Sequence, residues 1–455
     1  MINDTIIAIS TPLGYGGLGV VRLSGEKSLS IAKKIFHLKK NKTLIPPCHP
    51  ILGNLYNFEK KELFEEAYLT FFPKPHTYTR EDVVEISCHG SPVILEEVVR
   101  LGIKSGARHA NPGEFTIRAY LNGRIDILQA EAINDIINAS SLSQAEISFK
   151  QLEGGLSNKI IVLREQIIFL LGHIEASIEF PEDGLRISPK QITKTIESSI
   201  GTVKDLIESY DIGKILTEGL SLAITGKVNV GKSTLFNLLL KTERAIVTPH
   251  PGTTRDYLKE KIKINDSIFT LIDMAGIKNT SHPVEKEGIK RGKKLISEAN
   301  GILLLLDASQ KESREDISLI KKLKNKKTLL LFNKTDLPIN MNIEKIKKMD
   351  KSLPSLKISA LKGTNLDKLK EAIQDLFVPT LKQNKEIILH LWQKLILEDI
   401  LSHLSQGKNL IDEGYSEEVY AEEIRKIIPL LGQLTGKIHN NEIIETIFSR
   451  FCVGK

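Results

Sequence analysis

Eight consecutive residues, Gly226-Lys227-Val228-Asn229-Val230-Gly231-Lys232-Ser233, have the G-x-x-x-x-G-K-S spacing of a phosphate-binding loop. The glycines let the backbone curl so that its N–H groups aim at phosphate oxygens. A helical segment over 234–240 adds a favourable dipole behind the anion. Lys232 is placed to reach the β- and γ-phosphates, and the Ser233 hydroxyl to ligate Mg²⁺. Asn229, Val230, Gly231 and Thr234 complete the cradle. The chemistry is that of a nucleoside triphosphate.

Four later strings identify the base and the route of hydrolysis. Asp273-Met274-Ala275-Gly276 has the D-x-x-G form: the Asp holds a Mg²⁺-bound water and the Gly276 N–H approaches the γ-phosphate. Thr254, in Gly252-Thr253-Thr254-Arg255-Asp256, offers a hydroxyl to complete the Mg²⁺ shell. Asn333-Lys334-Thr335-Asp336 is an N-K-x-D string whose Asp336 can accept from guanine N1–H and the 2-amino group. Adenine lacks both donors, so a site built this way rejects it by several powers of ten. Ser359-Ala360-Leu361 supplies a backbone N–H to guanine O6. Five strings in this order point to GTP. Ile277 stands where small Ras-type GTPases carry the glutamine that orients the attacking water, so another group must do so. An acidic residue just downstream suits the task, and on chemistry alone Glu285 and Glu287 both qualify.

The elements that must position these strings follow from periodicity. Strand patterns at 221–225, 257–264, 267–273, 301–307, 328–333 and 355–359 alternate with helical ones over 216–378, as in a doubly wound sheet. Asn265-Asp266 predicts an antiparallel hairpin. Residues 1–120 read as an α+β unit, with strands at 6–9, 19–23, 67–72 and 83–86 and helices at 28–36 and 92–104. Residues 11–19 form a glycine-rich turn without the dinucleotide spacing. From 125 on, apolar residues recur at three- and four-residue steps from Ile133 to Ile178, one helical stripe with a break expected at Gly154-Gly155. Residues 181–184 predict a turn and 189–210 a helix. Helical character returns at 386–407 and 417–434, which makes the nucleotide domain an insertion in a helical one. The expected domains are 1–120, 121–215, 216–378 and 379–455.

Bulk properties set mild bounds. The 455 residues, with 63 Lys+Arg against 56 Asp+Glu, carry a formal charge of +7, compatible with an anionic partner such as RNA. Three cysteines at no metal-ligand spacing, no run long enough to span a bilayer and no signal-peptide pattern at the N-terminus lead to an expectation of a cytoplasmic protein.

Several strings together resemble the tRNA-modification GTPase MnmE (TrmE) family. They are Asp4-Thr5-Ile6; residues 16–25, which read GGLGVVRLSG; Tyr78-Thr79-Arg80-Glu81-Asp82-Val83-Val84-Glu85; His89-Gly90; Pro112-Gly113-Glu114-Phe115-Thr116; Ala119-Tyr120-Leu121-Asn122-Gly123-Arg124; Gln129-Ala130-Glu131-Ala132; and the terminal Phe451-Cys452-Val453-Gly454-Lys455. The resemblance implies an N-terminal dimerisation domain that binds 5-formyltetrahydrofolate or a related folate, a discontinuous helical domain and an inserted G domain. It implies folate contacts from Arg22, Glu85, Arg124 and Lys455. Guanidiniums and an ammonium suit the carboxylates of a folate tail, and Glu85 suits the N–H edge of the pterin.

The same resemblance implies K⁺ activation, with Asn229, Thr248, His250 and Thr253 as ligands, and a nucleotide loop of Thr248, Pro249, His250, Pro251, Gly252 and Thr253. K⁺ there would stabilise charge that an arginine finger stabilises elsewhere. Between the two acidic candidates it selects Glu285. It further implies a homodimer whose G domains meet. A flavin (FAD) partner of the MnmG (GidA) type would complete a heterotetramer that installs an aminomethyl-type group, such as carboxymethylaminomethyl, at C5 of the wobble uridine in certain tRNAs. Cys452 is a further functional candidate. The chain departs from the family pattern at Pro249 and Pro251, at Lys278 and across 389–392. An RNA-binding regulatory or ribosome-assembly GTPase of the Era/Der kind is the competing reading. Such proteins carry their RNA module after the G domain, without this N-terminal unit or the terminal C-x-G-K.

Overall fold

The computed structural model describes residues 4–39, 45–180, 188–243, 259–273, 299–323, 326–350, 352–378, 386–436, 447–448, 451 and 454. Its strands are β1 Ile6–Ile9, β2 Gly16–Ser24, β3 Phe36–Leu38, β4 Ile51–Asn57, β5 Glu62–Phe72, β6 Val83–Gly90, β7 Arg108–His109, β8 Leu220–Gly226, β9 Lys259–Ile264, β10 Ser267–Asp273, β11 Gly301–Asp307, β12 Thr328–Asn333 and β13 Ser355–Lys357. The helices are α1 Ser28–Ile35, α2 Pro92–Lys104, α3 Glu114–Leu121, α4 Ile127–Ile137, α5 Leu142–Leu152, α6 Gly155–Glu179, α7 Pro189–Glu218, α8 Lys232–Glu243, α9 Arg314–Lys322, α10 Ile343–Met349, α11 Leu366–Phe377, α12 Leu391–Asp412, α13 Glu417–Arg425 and α14 Ile427–Thr435. The chain divides into two compact units. One holds Met1–Ile137, Ser148–Ile200 and Asp399–Lys455; the other holds Asn138–Ile147 and Gly201–Glu398.

In the first unit a seven-stranded sheet runs in the order β3-β4-β5-β6-β2-β1-β7. Its strands alternate. Val21 and Leu23 of β2 and Val84 and Ile86 of β6 turn to the face covered by α1 and α2, where they pack with Ile31, Ile35, Val98 and Leu101. The intervening residues, Arg22 and Glu85, therefore turn to the opposite face, and the antiparallel register sets them directly across from each other. On that face Phe115 of α3 packs with Ile6 and Ala8. Helix α6 packs against α13 and α14. The expected single stripe is in fact three helices, α4, α5 and α6. The break at Gly154 occurs, with φ 91°, and a second falls at 138–141. Apolar residues at three- and four-residue steps do not mark where one helix stops and the next begins, so periodicity could not reveal the second.

The second unit is a six-stranded sheet, β13-β12-β11-β8-β10-β9, parallel except for the β9–β10 hairpin. Both faces are covered. Leu303, Leu305, Leu329 and Leu331 enter one core, while Ile302, Leu304, Leu330 and Phe332 enter the other. Unbroken apolar strands are what a two-sided parallel sheet requires. Asn265 turns the hairpin at φ 51°, as Asn tolerates. The predicted helix at 386–407 begins later, at Leu391, and residues 386–390 carry no regular structure. The expected turn at 181–184 lies outside the described residues.

Candidate functional site

The phosphate loop leaves β8 and enters α8, beside the point where strand order reverses about β8. Its conformation is one that side chains would obstruct. Gly226 has φ 146°, and a Cβ there would run into the Leu305 carbonyl oxygen. Gly231 has φ 100°, and a Cβ would run into Asn333 Nδ2. Asn229, at φ 62°, is a left-handed turn residue at the crest of the loop. Lys232 Nζ donates to the carbonyls of Gly226 (3.0 Å) and Lys227 (2.6 Å), folded over the cradle it would share with phosphate. Ser233 and Thr234 occupy the first turn of α8, and Val230 is buried. Lys227 reaches the other way. Its Nζ meets Ser313 Oγ and pairs with Asp316 (2.9 Å) at the capping box that opens α9.

The guanine strings converge on this loop through one buried side chain. Asn333 Nδ2 donates to Val230 O (2.7 Å), and its Oδ1 accepts from Ala360 N–H (2.9 Å). Asp336 Oδ1 accepts from Ser359 Oγ at 2.6 Å. That hydrogen bond is the main reason its carboxyl is held below the usual carboxylate range, so it stays an acceptor. Lys334, at φ 63°, pairs with Asp307 at 2.7 Å. Burial pushes the Asp307 carboxyl up, but Lys334 and Ser309 outweigh it and hold it low. Leu361 is exposed beside this floor. Asp273 ends β10, its backbone in register with Ile224 of β8. The Ser233 hydroxyl in the first turn of α8 is a hard-oxygen donor of the kind that suits Mg²⁺. Thr248, Pro249, His250, Pro251, Gly252, Thr253, Thr254, Met274, Ala275, Gly276, Glu285, Cys452 and Lys455 lie outside the described residues.

Parallel strands covered on both faces, a phosphate loop at the switch strand and N-K-x-D tied to that loop define a P-loop GTPase fold. Within the first unit there is a separate cleft of about 500 Å³, lined by Arg22, His76, Tyr78, Arg80, Glu85 and Arg124 among others. Arg22 pairs with Glu85 (2.7 Å) and lies 5.7 Å from the ring centres of both Tyr78 and Phe115. Arg124 stacks over Tyr78 at 4.7 Å and donates to its carbonyl at 3.1 Å. Burial pushes the Tyr78 phenol up, and its OH bonds Thr116. The structure thus brings together Arg22, Glu85 and Arg124. Sequence reasoning missed the roles of Tyr78 and Arg80, although both stand in the 78–85 string, and of buried Arg118. That guanidinium meets Asp4 (2.6 Å), Glu81 (3.1 Å) and Glu114 (3.0 Å) behind the cleft loop. Its sole sequence signal was the i,i+4 spacing of Glu114 and Arg118.

Comparison with known proteins extends this class to a family. Residues 5–124 match the family model "GTP-binding protein TrmE N-terminus" and residues 127–452 match "MnmE helical domain". The tRNA modification GTPase MnmE of Acetivibrio thermocellus is 40% identical over 100% of this chain and 99% of that protein. The Aquifex aeolicus protein of the same name is 39% identical over 100% of both. Among solved structures, a point variant of Aquifex aeolicus Era bound to GDP.AlF4- is 30% identical over 40% of this chain and 66% of that one, with a TM-score of 0.30. The chain belongs to the MnmE family of tRNA modification GTPases. The match runs the whole length, which favours this reading over the Era/Der one. No helix among the described residues is long and apolar enough to cross a membrane.

Proposed function

We propose that the chain is a K⁺-activated cytoplasmic GTPase whose hydrolysis cycle drives wobble-uridine modification in tRNA. The reading has it act as a homodimer with a flavin-containing MnmG-type partner. The observation that carries it is the coexistence, in one chain, of a tied guanine site and a second cleft holding Arg22, Glu85 and Arg124. The cleft falls in the usual size range of ligand sites, roughly 300–1,000 Å³. Its floor offers a donor–acceptor pair, Arg22 with Glu85, for a pterin edge. Arg124 faces no carboxylate among the described residues and suits an anionic tail. Gly454, the residue before Lys455, has its carbonyl bonded by Ser10 Oγ at 3.3 Å, beside the β1 residues that pair with β2. These features fit a formyltetrahydrofolate, which when bound supplies the one-carbon unit.

At the nucleotide, Ser233 and Thr254 would hold Mg²⁺, and Asn229, Thr248, His250 and Thr253 would hold K⁺. Glu285 would orient water, since Ile277 has no group for that task. The domain limits 1–120, 121–215, 216–378 and 379–455 belong to this proposal. Nucleoside analysis of tRNA from cells lacking the chain tests it: unmodified wobble uridines are expected, and normal ones would remove it. For the hydrolytic parts, GTP turnover should fall in Na⁺ relative to K⁺ and collapse in Glu285→Ala while GTP still binds. Equal turnover in both salts, or wild-type turnover in the variant, removes the corresponding assignment.

A further inference from the structure

The turn of the β9–β10 hairpin, Asn265-Asp266, makes a contact that the nucleotide site does not use. It reaches the first turn of α5, a helix that precedes the nucleotide fold in the chain and whose first residues share a compact unit with the hairpin. Asp266 Oδ1 accepts from the Leu142 N–H at 2.9 Å, and Oδ2 accepts from the Ser143 N–H at 2.8 Å and from the Ser143 hydroxyl. A helix leaves its first N–H groups without internal partners, and a residue at its own N-cap ordinarily satisfies one of them. Ser141 does so for the Gln144 N–H, at 3.1 Å. The two N–H groups before it are held instead by a carboxylate 124 residues on from Leu142. Burial pushes the Asp266 carboxyl up, but the Ser143 hydroxyl and the Ser143 and Leu142 N–H groups outweigh it, with Lys263 at 3.9 Å adding to them. The cap is therefore an anion at a helix N-terminus.

The other end of the same hairpin lies at the nucleotide. β10 pairs with β8 from Phe269 opposite Leu220 to Asp273 opposite Ile224, just ahead of Gly226, where the phosphate loop begins. β9 stays in register with β10 from Ile264 opposite Ser267 to Lys259 opposite Ile272. Phe269 and Leu271 are buried in one core with Leu222 and Ile224. A ribbon gripped in this way moves as a piece, and the 7 residues of β10 carry a displacement over roughly 20 Å. The tip, by contrast, has room. Beside it lies a cavity of about 170 Å³, lined by Ser143, Ile212, Ile215, Leu216, Ser267 and Gln374 among others. Gln374 Nε2 donates to Ser267 Oγ at 3.1 Å, while its Oε1 is buried with no hydrogen-bond partner among the described residues. A close-packed contact resists displacement; one edged by a void and an unpaired acceptor does not.

We propose that Asp266 is a nucleotide-dependent cap: the hairpin holds the first turn of α5 more firmly in one nucleotide state than in the other, so that the exchange of GTP for GDP is read at the start of that helix. Hydrogen–deuterium exchange on the full-length protein, loaded with GDP or with a non-hydrolysable GTP analogue, tests this. In wild type the protection of the Leu142 and Ser143 amides should differ about fivefold between the two, the worth of one helix cap. Asp266→Ala should leave both amides open with either nucleotide, and Asp266→Asn, with one acceptor oxygen left, should keep part of the difference. Linkage demands reciprocity. The ratio of GTP-analogue to GDP affinity in Asp266→Ala should depart from that of wild type by the same factor. Equal protection of wild type in both nucleotides, or a difference that survives in Asp266→Ala, overturns the inference. So does an Asp266→Ala that loses protection while its affinity ratio stays that of wild type, the pattern of a purely structural clasp. The wild-type comparison needs no variant, and Asp266, with its side chain 39% exposed on a hairpin turn, is a position that tolerates replacement.

Discussion

In the nucleotide site the described polar groups are already bonded within the protein. Asn333 is satisfied at both ends, Asp336 by Ser359, Lys334 by Asp307 and Lys232 by two carbonyls. In the N-terminal cleft, among the described residues, ion pairing stops at Arg22 and Glu85, and Arg80 and Arg124 each donate to a backbone carbonyl. The first arrangement holds its shape without ligand, so binding costs little reorganisation on the base side. The second holds an excess of positive charge that an anionic ligand cancels, so its affinity should depend far more on salt. The cleft still needs a rigid wall, and that wall is a separate ion network.

The largest effect is expected where that wall is anchored. Arg118 is 1% exposed and joins Asp4, Glu81 and Glu114. Glu81 and Thr79, on the cleft loop, also bond Ser24 at 2.7 Å each. Arg118→Met strips the cation from a buried network, which typically costs about 3–5 kcal/mol. Denaturant unfolding of the full chain should show this in the first unit's transition; a loss below about 1 kcal/mol would mean the loop is held otherwise. Burial pushes the Glu114 carboxyl up, but hydrogen bonds from Arg108, the Asn111 N–H and Arg118 hold it below its ordinary 4.5. Its contribution is thus complete above pH 4.5 and lost as pH falls through the depressed folded value. The stability gap between wild type and Arg118→Met should narrow on that acid side and not toward neutral pH.

Asn333→Ala tests the other half of the comparison. It orphans the Val230 carbonyl and the Ala360 N–H, both buried, at about 1–3 kcal/mol each. GDP affinity, read by fluorescence titration, should drop roughly a hundredfold. A change within threefold would show that the base loops keep their places without the tie, and the contrast with the cleft would disappear.

The two sites also differed in how far the sequence disclosed them. The phosphate loop, N-K-x-D and S-A-L are contiguous strings because each occupies one strand-end turn, and strands such as β11 and β12 are unbroken apolar runs because both faces are buried. The cleft is assembled from Arg22 of β2, Phe72 of β5, five residues of the 75–80 segment, Val83 and Glu85 of β6, and Arg124, parts too far apart in the chain to form one motif. Arg22, Glu85 and Arg124 were reached only through family resemblance. Strand β4 was missed because its buried positions include Gly53 and Asn57, which do not look like a core face. Arg118 was missed because an arginine is ordinarily at the surface.

The smallest effect tests whether the phosphate loop is self-supporting or braced from outside. Lys227 is one of the loop's variable positions, yet its ammonium lies against Ser313 and Asp316, with its side chain 22% exposed. Asp316 keeps its cap without the lysine, since Ser313 N–H and Oγ both donate to its carboxylate at 2.9 Å. Lys227→Met should therefore leave α9 folded and loosen only the loop. Water can partly replace the lost partner, so GTP affinity should fall by about fivefold, or 1 kcal/mol, with little change in kcat once the nucleotide is saturating. Asp316→Ala removes the brace together with the reciprocal half of the capping box, while Ser313 Oγ still accepts from the N–H of residue 316. If Lys227→Met lowers kcat instead, the brace acts in the transition state, and the phosphate half of the site is less preformed than its guanine half.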